Sequence, residues 1–213
     1  MNWYIRIDES QFAQEMARAF YDRLRAVLTP AYQEAVRARL APEVEARVKK
    51  EPEYPELVGG RLRGELGVVD GAAAVADLVK GLTTPPGGLT VEIDGPRLLG
   101  EKIDCSVFAH ILREDYSEVL GVASARFNAR GGPVPWLEWL LLGGRSVIIS
   151  DHLYLGGNRK GSRTGMGIMR RSPRGWGLQT WGGSPADNWL TRALAAFHKV
   201  MADVLADELV RRF

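Results

Sequence analysis

The sequence predicts an α+β fold: helices first, then an antiparallel meander, then a long C-terminal helix. Three observations predict it. Apolar residues recur at helical spacing in the first quarter of the chain and again at its end. Segments of strict apolar–polar alternation, broken by Gly and Pro, fill the middle. The two patterns are segregated along the chain rather than alternated, as in α+β rather than α/β proteins. The 213 residues, 46% hydrophobic and 25% charged, suit a single domain over 1–213 with a real core.

Trp3 to Asp8 alternates and reads as a short strand. Asp8 and Ser10 offer a cap to a helix whose stripe is Phe12, Met16, Phe20, Leu24 and Val27. Thr29-Pro30 ends that helix and begins a second, with the stripe Tyr32, Val36, Leu40, Val44 and Val48. Pro42 is expected to kink or split it. After Glu51-Pro-Glu-Tyr-Pro, Leu57 to Val68 is glycine-rich with weak helical spacing, and Ala72 to Leu82 is a better short helix. Leu89–Ile93 and Ile103–Leu112 read as strands, the second placing Ile103, Cys105, Val107, Ala109 and Ile111 on one face. Val119 to Phe127 fits a strand or a helix. Trp136 to Leu142 reads as a buried helical turn or two, and Ser146 to Leu155 as a strand. Thr164–Arg170 and Gly175–Gln179 suggest a closing hairpin. Ser184-Pro185-Ala-Asp187 resembles a capping box opening one last helix that runs to Phe213.

Composition narrows the function classes. A net charge of +2 is too small to imply nucleic acid or an anionic membrane. The preponderance of Arg over Lys suits interface contacts and equally a GC-rich genome. A single cysteine, Cys105, excludes an intramolecular disulfide and points to a reducing compartment. The start MNWYIRIDES lacks the cationic and apolar regions of a signal peptide, and no apolar run approaches the roughly 20 residues of a membrane helix. A soluble protein made in a cytoplasm is expected.

Catalytic patterns are missing. His110, His152 and His198 stand far apart, with neither HExxH nor a Cys/His cluster for a metal. There is no GxSxG elbow. Gly156-Gly-Asn-Arg-Lys-Gly-Ser162 lacks the GxxxxGK[ST] order of a phosphate loop. Cys105 alternates with apolar residues and has the character of a buried inert thiol. The expectation is a protein without catalytic residues, metal or cofactor: not an enzyme.

Three constellations remain. In Pro133-Val-Pro-Trp136-Leu-Glu138-Trp139-Leu-Leu-Leu142, two tryptophans share one helical face. They are either core, with Glu138 turned to solvent, or an apolar anchor for a neighbouring subunit. Arg159, Lys160, Arg163, Arg170, Arg171 and Arg174 occur without an intervening acid. They form a solvated hairpin, a patch for an acidic partner ring, or a contact to DNA phosphates. Asp187-Asn188-Trp189-Leu-Thr191 opens the last helix, its stripe facing the sheet rather than a partner.

At these three stretches, "PWLEWLLL-Gly", "SRTGMGIM" and "DNWLTRAL", the chain resembles the neck or tail-completion (head–tail joining) proteins of tailed bacteriophages. The likeness covers about Gly131 to Leu194; the first 130 residues match only in the order of their elements. The resemblance implies two or three helices packed on a small antiparallel β-sheet, no catalysis, and a ring between connector and tail. The implied partners are other copies of the chain, the portal or adaptor, and the tail terminator or tail tube. The implied location is the virion, with assembly in the host cytoplasm. The positions matching the family are Trp136, Glu138, Trp139, Arg163, Thr164, Met166, Asn188 and Trp189. Arg159, Lys160, Arg170 and Arg171 join them as candidate interface residues from the charge pattern. The alternative is a cytoplasmic nucleic-acid-binding or regulatory module using the basic hairpin 159–174.

Overall fold

A computed structural model describes residues 9–85, 87–112, 114–129, 132–144, 146–178 and 180–213. The strand expected over Trp3–Asp8 and the cap at Asp8 lie outside the described residues. The fold is α+β, as expected, with a long C-terminal helix. The β component is not one sheet: three separate two-stranded antiparallel hairpins occur among the described residues. The chain divides into two compact units, each assembled from separated stretches.

The first unit comprises Met1–Leu40, Thr90–His110 and Lys199–Phe213. Helix α1 (Glu9–Val27) packs on the hairpin of β1 (Thr90–Leu99) and β2 (Lys102–His110). Helix α2 (Pro30–Lys50) begins here, with Tyr32, Val36 and Leu40 fully buried. The Tyr32 hydroxyl donates to the Leu205 carbonyl at 2.9 Å, and Gln33 Nε2 donates to that of Val91 at 2.9 Å. In β2, Ile103, Cys105, Val107 and Ala109 take the half-buried face while Lys102, Asp104, Phe108 and His110 stand in solvent. This is the alternation the sequence predicts. Burial pushes the Cys105 thiol above its usual pKa, and Asp104 and Asp94 add to it, so thiolate is scarce at neutral pH.

Pro42 does not split α2. The five-residue stripe through Val48 is buried throughout, worth roughly 1.5–3 kcal/mol per side chain, against about 3 kcal/mol for an interior proline. Pro42 also sits on the exposed face, as does Ala38, whose carbonyl it leaves without a helical partner.

Near the chain end, in α9 (Phe197–Arg212), buried Glu208 accepts from Arg212 Nε at 2.8 Å, with Arg39 and Arg211 each at 3.5 Å. The Arg212 hydrogen bond holds the carboxyl below its usual pKa; burial opposes this, and the charges of Arg211, Arg212 and Arg39 reinforce it. A depressed folded pKa means that the stabilisation is present above the unfolded value of about 4.3 and is lost as pH falls through the folded one. Glu208→Gln is therefore expected to lower neutral-pH stability by about 2 kcal/mol. Urea titrations should show that deficit shrinking in strong acid; a deficit unchanged with pH would assign it to packing instead.

The second unit comprises Ala41–Leu89 and Ile111–His198. The glycine-rich segment folds as two short helices, α3 (Glu53–Val58) and α4 (Arg61–Leu66), followed by α5 (Gly71–Thr83). Gly67 ends α4 at φ +70°, a left-handed position that suits glycine. Asp70 caps α5 by accepting from Ala73 N. Gly71 lies so close to the Leu57 carbonyl that a Cβ would stand 1.7 Å from it, so α3 and α5 can meet only through glycine.

Val119 to Phe127 resolves into neither alternative alone. Helix α6 (Ser117–Leu120) and a 3-10 turn (Ala123–Ala125) lead into β3 (Phe127–Ala129), which pairs with β4 (Gly132–Val134). Helix α7 (Trp136–Leu142) follows, with Trp136, Leu137, Leu140 and Leu141 buried as predicted.

The closing hairpin differs from the expectation. β5 (His152–Gly156) pairs with β6 (Gly167–Arg171), and the basic loop is its tip. Residues 175–178 instead meet Ile149 through a single bridge at Trp176. The expected strand over Ser146–Leu155 is interrupted because Asp151 adopts φ +57°, which the short polar Asp tolerates, and turns the chain.

The last helix is two. Helix α8 (Trp189–Leu194) ends before α9, and the cap is Asn188 rather than Ser184. Asn188 Oδ1 accepts from Leu190 N at 3.0 Å and Thr191 N at 3.1 Å, while Thr191 Oγ1 accepts from Asn188 N at 2.8 Å. Ser184 closes a turn of its own, accepting from Asp187 N.

Candidate assembly surfaces

The twelve candidate interface residues separate into two groups. Trp136, Asn188 and Trp189 are enclosed by their own chain, the core alternative rather than the partner-facing one. Trp136 Nε1 donates to the Ser124 carbonyl at 2.5 Å and Trp189 Nε1 to that of Val48 at 3.0 Å. Asn188 Nδ2 donates to the Tyr116 hydroxyl at 2.7 Å and to the Ser184 carbonyl at 2.8 Å. Their polar atoms are spent inside the second unit and hold it together.

The rest are accessible. Glu138 is exposed; Trp139 is half-buried, edge-on to Trp176 with ring centroids 6.1 Å apart. Arg159, Lys160, Arg170 and Arg171 are exposed, and none of them has a carboxylate within ion-pair distance among the described residues. The tip loop is nonetheless ordered by the chain itself. Ser162 Oγ donates to the Gly167 carbonyl at 2.7 Å, Thr164 Oγ1 accepts from Met166 N at 3.2 Å, and the Tyr154 hydroxyl donates to the Met166 carbonyl at 2.9 Å.

Arg163 folds back over the ring of Phe127, its guanidinium carbon 3.4 Å from the centroid, and donates to the Gly67 carbonyl. Partial burial lowers its pKa below the usual arginine value, although the side chain remains exposed at the cavity mouth. It forms one wall of an open cavity of about 690 Å³ whose other walls include Phe127, Val134, Trp139, Ile168 and Met169. Sequence reading took Arg163 as one charge among six and as a position of the family resemblance; that it shares a cavity with side chains from four other segments depends on tertiary structure.

The first unit carries a surface that sequence reading missed. Three residues of the expected inward stripe of α1 are exposed: Phe12 is 56% exposed, Met16 43% and Phe20 46%. Leu24 and Val27 face inward as expected, joined by Ala13 and Ala17. Both sets have helical spacing; the small Ala13 and Ala17 are the signal, since they let the helix approach the hairpin closely. Phe20 stacks on Phe213 at 5.7 Å, and Val210 adds a side chain 75% exposed. Leu98 and Leu99, at the tip of the β1–β2 hairpin, are exposed as well.

Among the described residues no group of three or more His, Cys, Asp or Glu side chains is placed to hold a metal ion, and no helix is long and apolar enough to cross a membrane. Comparison with protein-family models, with curated proteins and with solved structures finds no match to this chain.

Proposed function

We propose that this protein is a structural subunit of the neck, or head–tail junction, of a tailed bacteriophage, acting by stoichiometric assembly with other copies of itself and with the connector and tail. The observation that carries the assembly reading is the apolar face of the first unit, where Phe12, Met16, Phe20, Val210 and Phe213 are all substantially exposed. Such clusters on one face mark protein-binding surfaces. The phage assignment rests on the resemblance of the stretches around Trp136–Leu142, Ser162–Met169 and Asp187–Leu194. In a ring each contact is heterologous, and weak pairwise contacts become stable when the ring closes or sits on a template. Cryo-microscopy of particles tests this. A closed ring of this chain between head and tail is the expected result; a single copy per particle, or none, overturns it.

A second reading has one observation in its favour: Arg159, Lys160, Arg170 and Arg171 lack carboxylate partners among the described residues, so they are free to meet phosphates. Replacing these four with Ser should leave stability within about 1 kcal/mol, as for surface sites. On the assembly reading, incorporation into particles falls. On the nucleic-acid reading, duplex binding by the unmodified protein weakens steeply with salt, and the variant loses that slope. Normal assembly together with no salt-dependent binding would leave the loop without either role.

A further inference from the structure

We infer that the cavity beside Arg163 receives helix α1 of a second copy of this chain, with Phe12 and Met16 entering the apolar walls and Glu15 meeting the Arg163 guanidinium. The inference rests on the assembly reading and names one contact within it.

The cavity asks for two things at once. Its walls of Phe127, Val134, Trp139, Ile168 and Met169 favour large apolar side chains. Its cation, Arg163, spends one hydrogen bond on the Gly67 carbonyl and stacks on Phe127, and it has no carboxylate within ion-pair distance among the described residues. With one hydrogen bond spent, the guanidinium retains donors for a carboxylate, which it can meet in a charge-assisted pair. The complement is an apolar helix face carrying one acid.

Helix α1 presents that face. Phe12, Met16 and Phe20 repeat every fourth residue and are exposed. Glu15 stands on the same face, three residues beyond Phe12 and next to Met16, exposed, its carboxylate accepting a neutral hydrogen bond from Gln11 at 3.0 Å and, among the described residues, paired with no cation. Anchors at this spacing are how an amphipathic helix enters a groove. The donor face belongs to the first unit and the cavity to the second, so the contact is heterologous and propagates from copy to copy, as a ring requires.

The test uses full-length chains in a Cys105→Ser background. One carries Met16→Cys; the other carries Asn128→Cys, an exposed position on the cavity rim. Mixed at high concentration and oxidised, they should give the mixed disulfide dimer roughly tenfold above either homodimer, the preference expected of a specific charge-matched contact. Arg163→Glu in the second chain should abolish that excess, and Glu15→Arg in the first should restore it. Circular dichroism on each variant checks that it is folded. A mixed dimer no more abundant than the homodimers, or one indifferent to both charge changes, overturns the inference. If particles contain a ring of this chain in which the two cysteines still fail to join, this contact falls while the assembly reading stands. If particles lack the chain, the assembly reading falls.

Discussion

Trp189→Ala is expected to destabilise the protein by about 4 kcal/mol, the range for deleting a fully buried large aromatic. The indole is enclosed in the second unit, and its N–H donates to the Val48 carbonyl at 3.0 Å. Val48 lies in the last turn of α2, whose carbonyls have no helical partner, so the bond satisfies a group that burial would otherwise leave unpaired. Trp189→Phe separates the two contributions: it keeps most of the volume and loses the donor, for about 1–2 kcal/mol. Urea unfolding followed by circular dichroism reads both. A Trp189→Ala deficit below about 1 kcal/mol, the level of a surface site, would mean that the side chain is not sealed in the core.

Asn188→Ala should cost about 3 kcal/mol, an unusual effect for a residue that any composition-based reading places at the surface. Its side chain makes four hydrogen bonds. Two accept from the first turn of α8, and two are donated to the Tyr116 hydroxyl and the Ser184 carbonyl. Losing the cap alone costs about 1 kcal/mol; the remainder comes from leaving the Tyr116 and Ser184 oxygens short of a donor. Asn188→Asp tells these apart. It retains the cap acceptor, loses both donors and buries a charge, so it should be at least as damaging as Ala. An Asp variant close to the original protein would reduce the residue to a helix cap. Tyr116 itself sits at φ +57° and donates to the Pro185 carbonyl at 2.6 Å, so the network ties the start of α6 to the turn before α8.

Both residues stand beside the start of α8. Trp and Asn beside a helix start look like a recognition motif because both types are enriched where proteins meet. Here the same types close a core. The exposed anchors are Phe12, Met16 and Phe20, which periodicity assigns to the interior.

Several features were legible in the residues alone because each depends on neighbours in sequence. The α+β class, the β2 alternation, the buried Tyr32-to-Val48 stripe and the apolar segment Trp136–Leu142 follow from side-chain period and local backbone preference. Other features required the tertiary structure, because they are competitions between distant partners. Whether 175–178 pairs with β6 or with Ile149 turns on which edge is free. Whether Pro42 breaks α2 turns on how much the helix buries. Whether α1 turns its phenylalanines or its alanines inward turns on how closely it must approach the hairpin. The Arg163 cavity draws on segments around residues 67, 127, 139, 163 and 168, separated by up to about a hundred positions. The period of a pattern is a local property and can be read along a chain; which face of that pattern is covered is settled only by the surface that meets it.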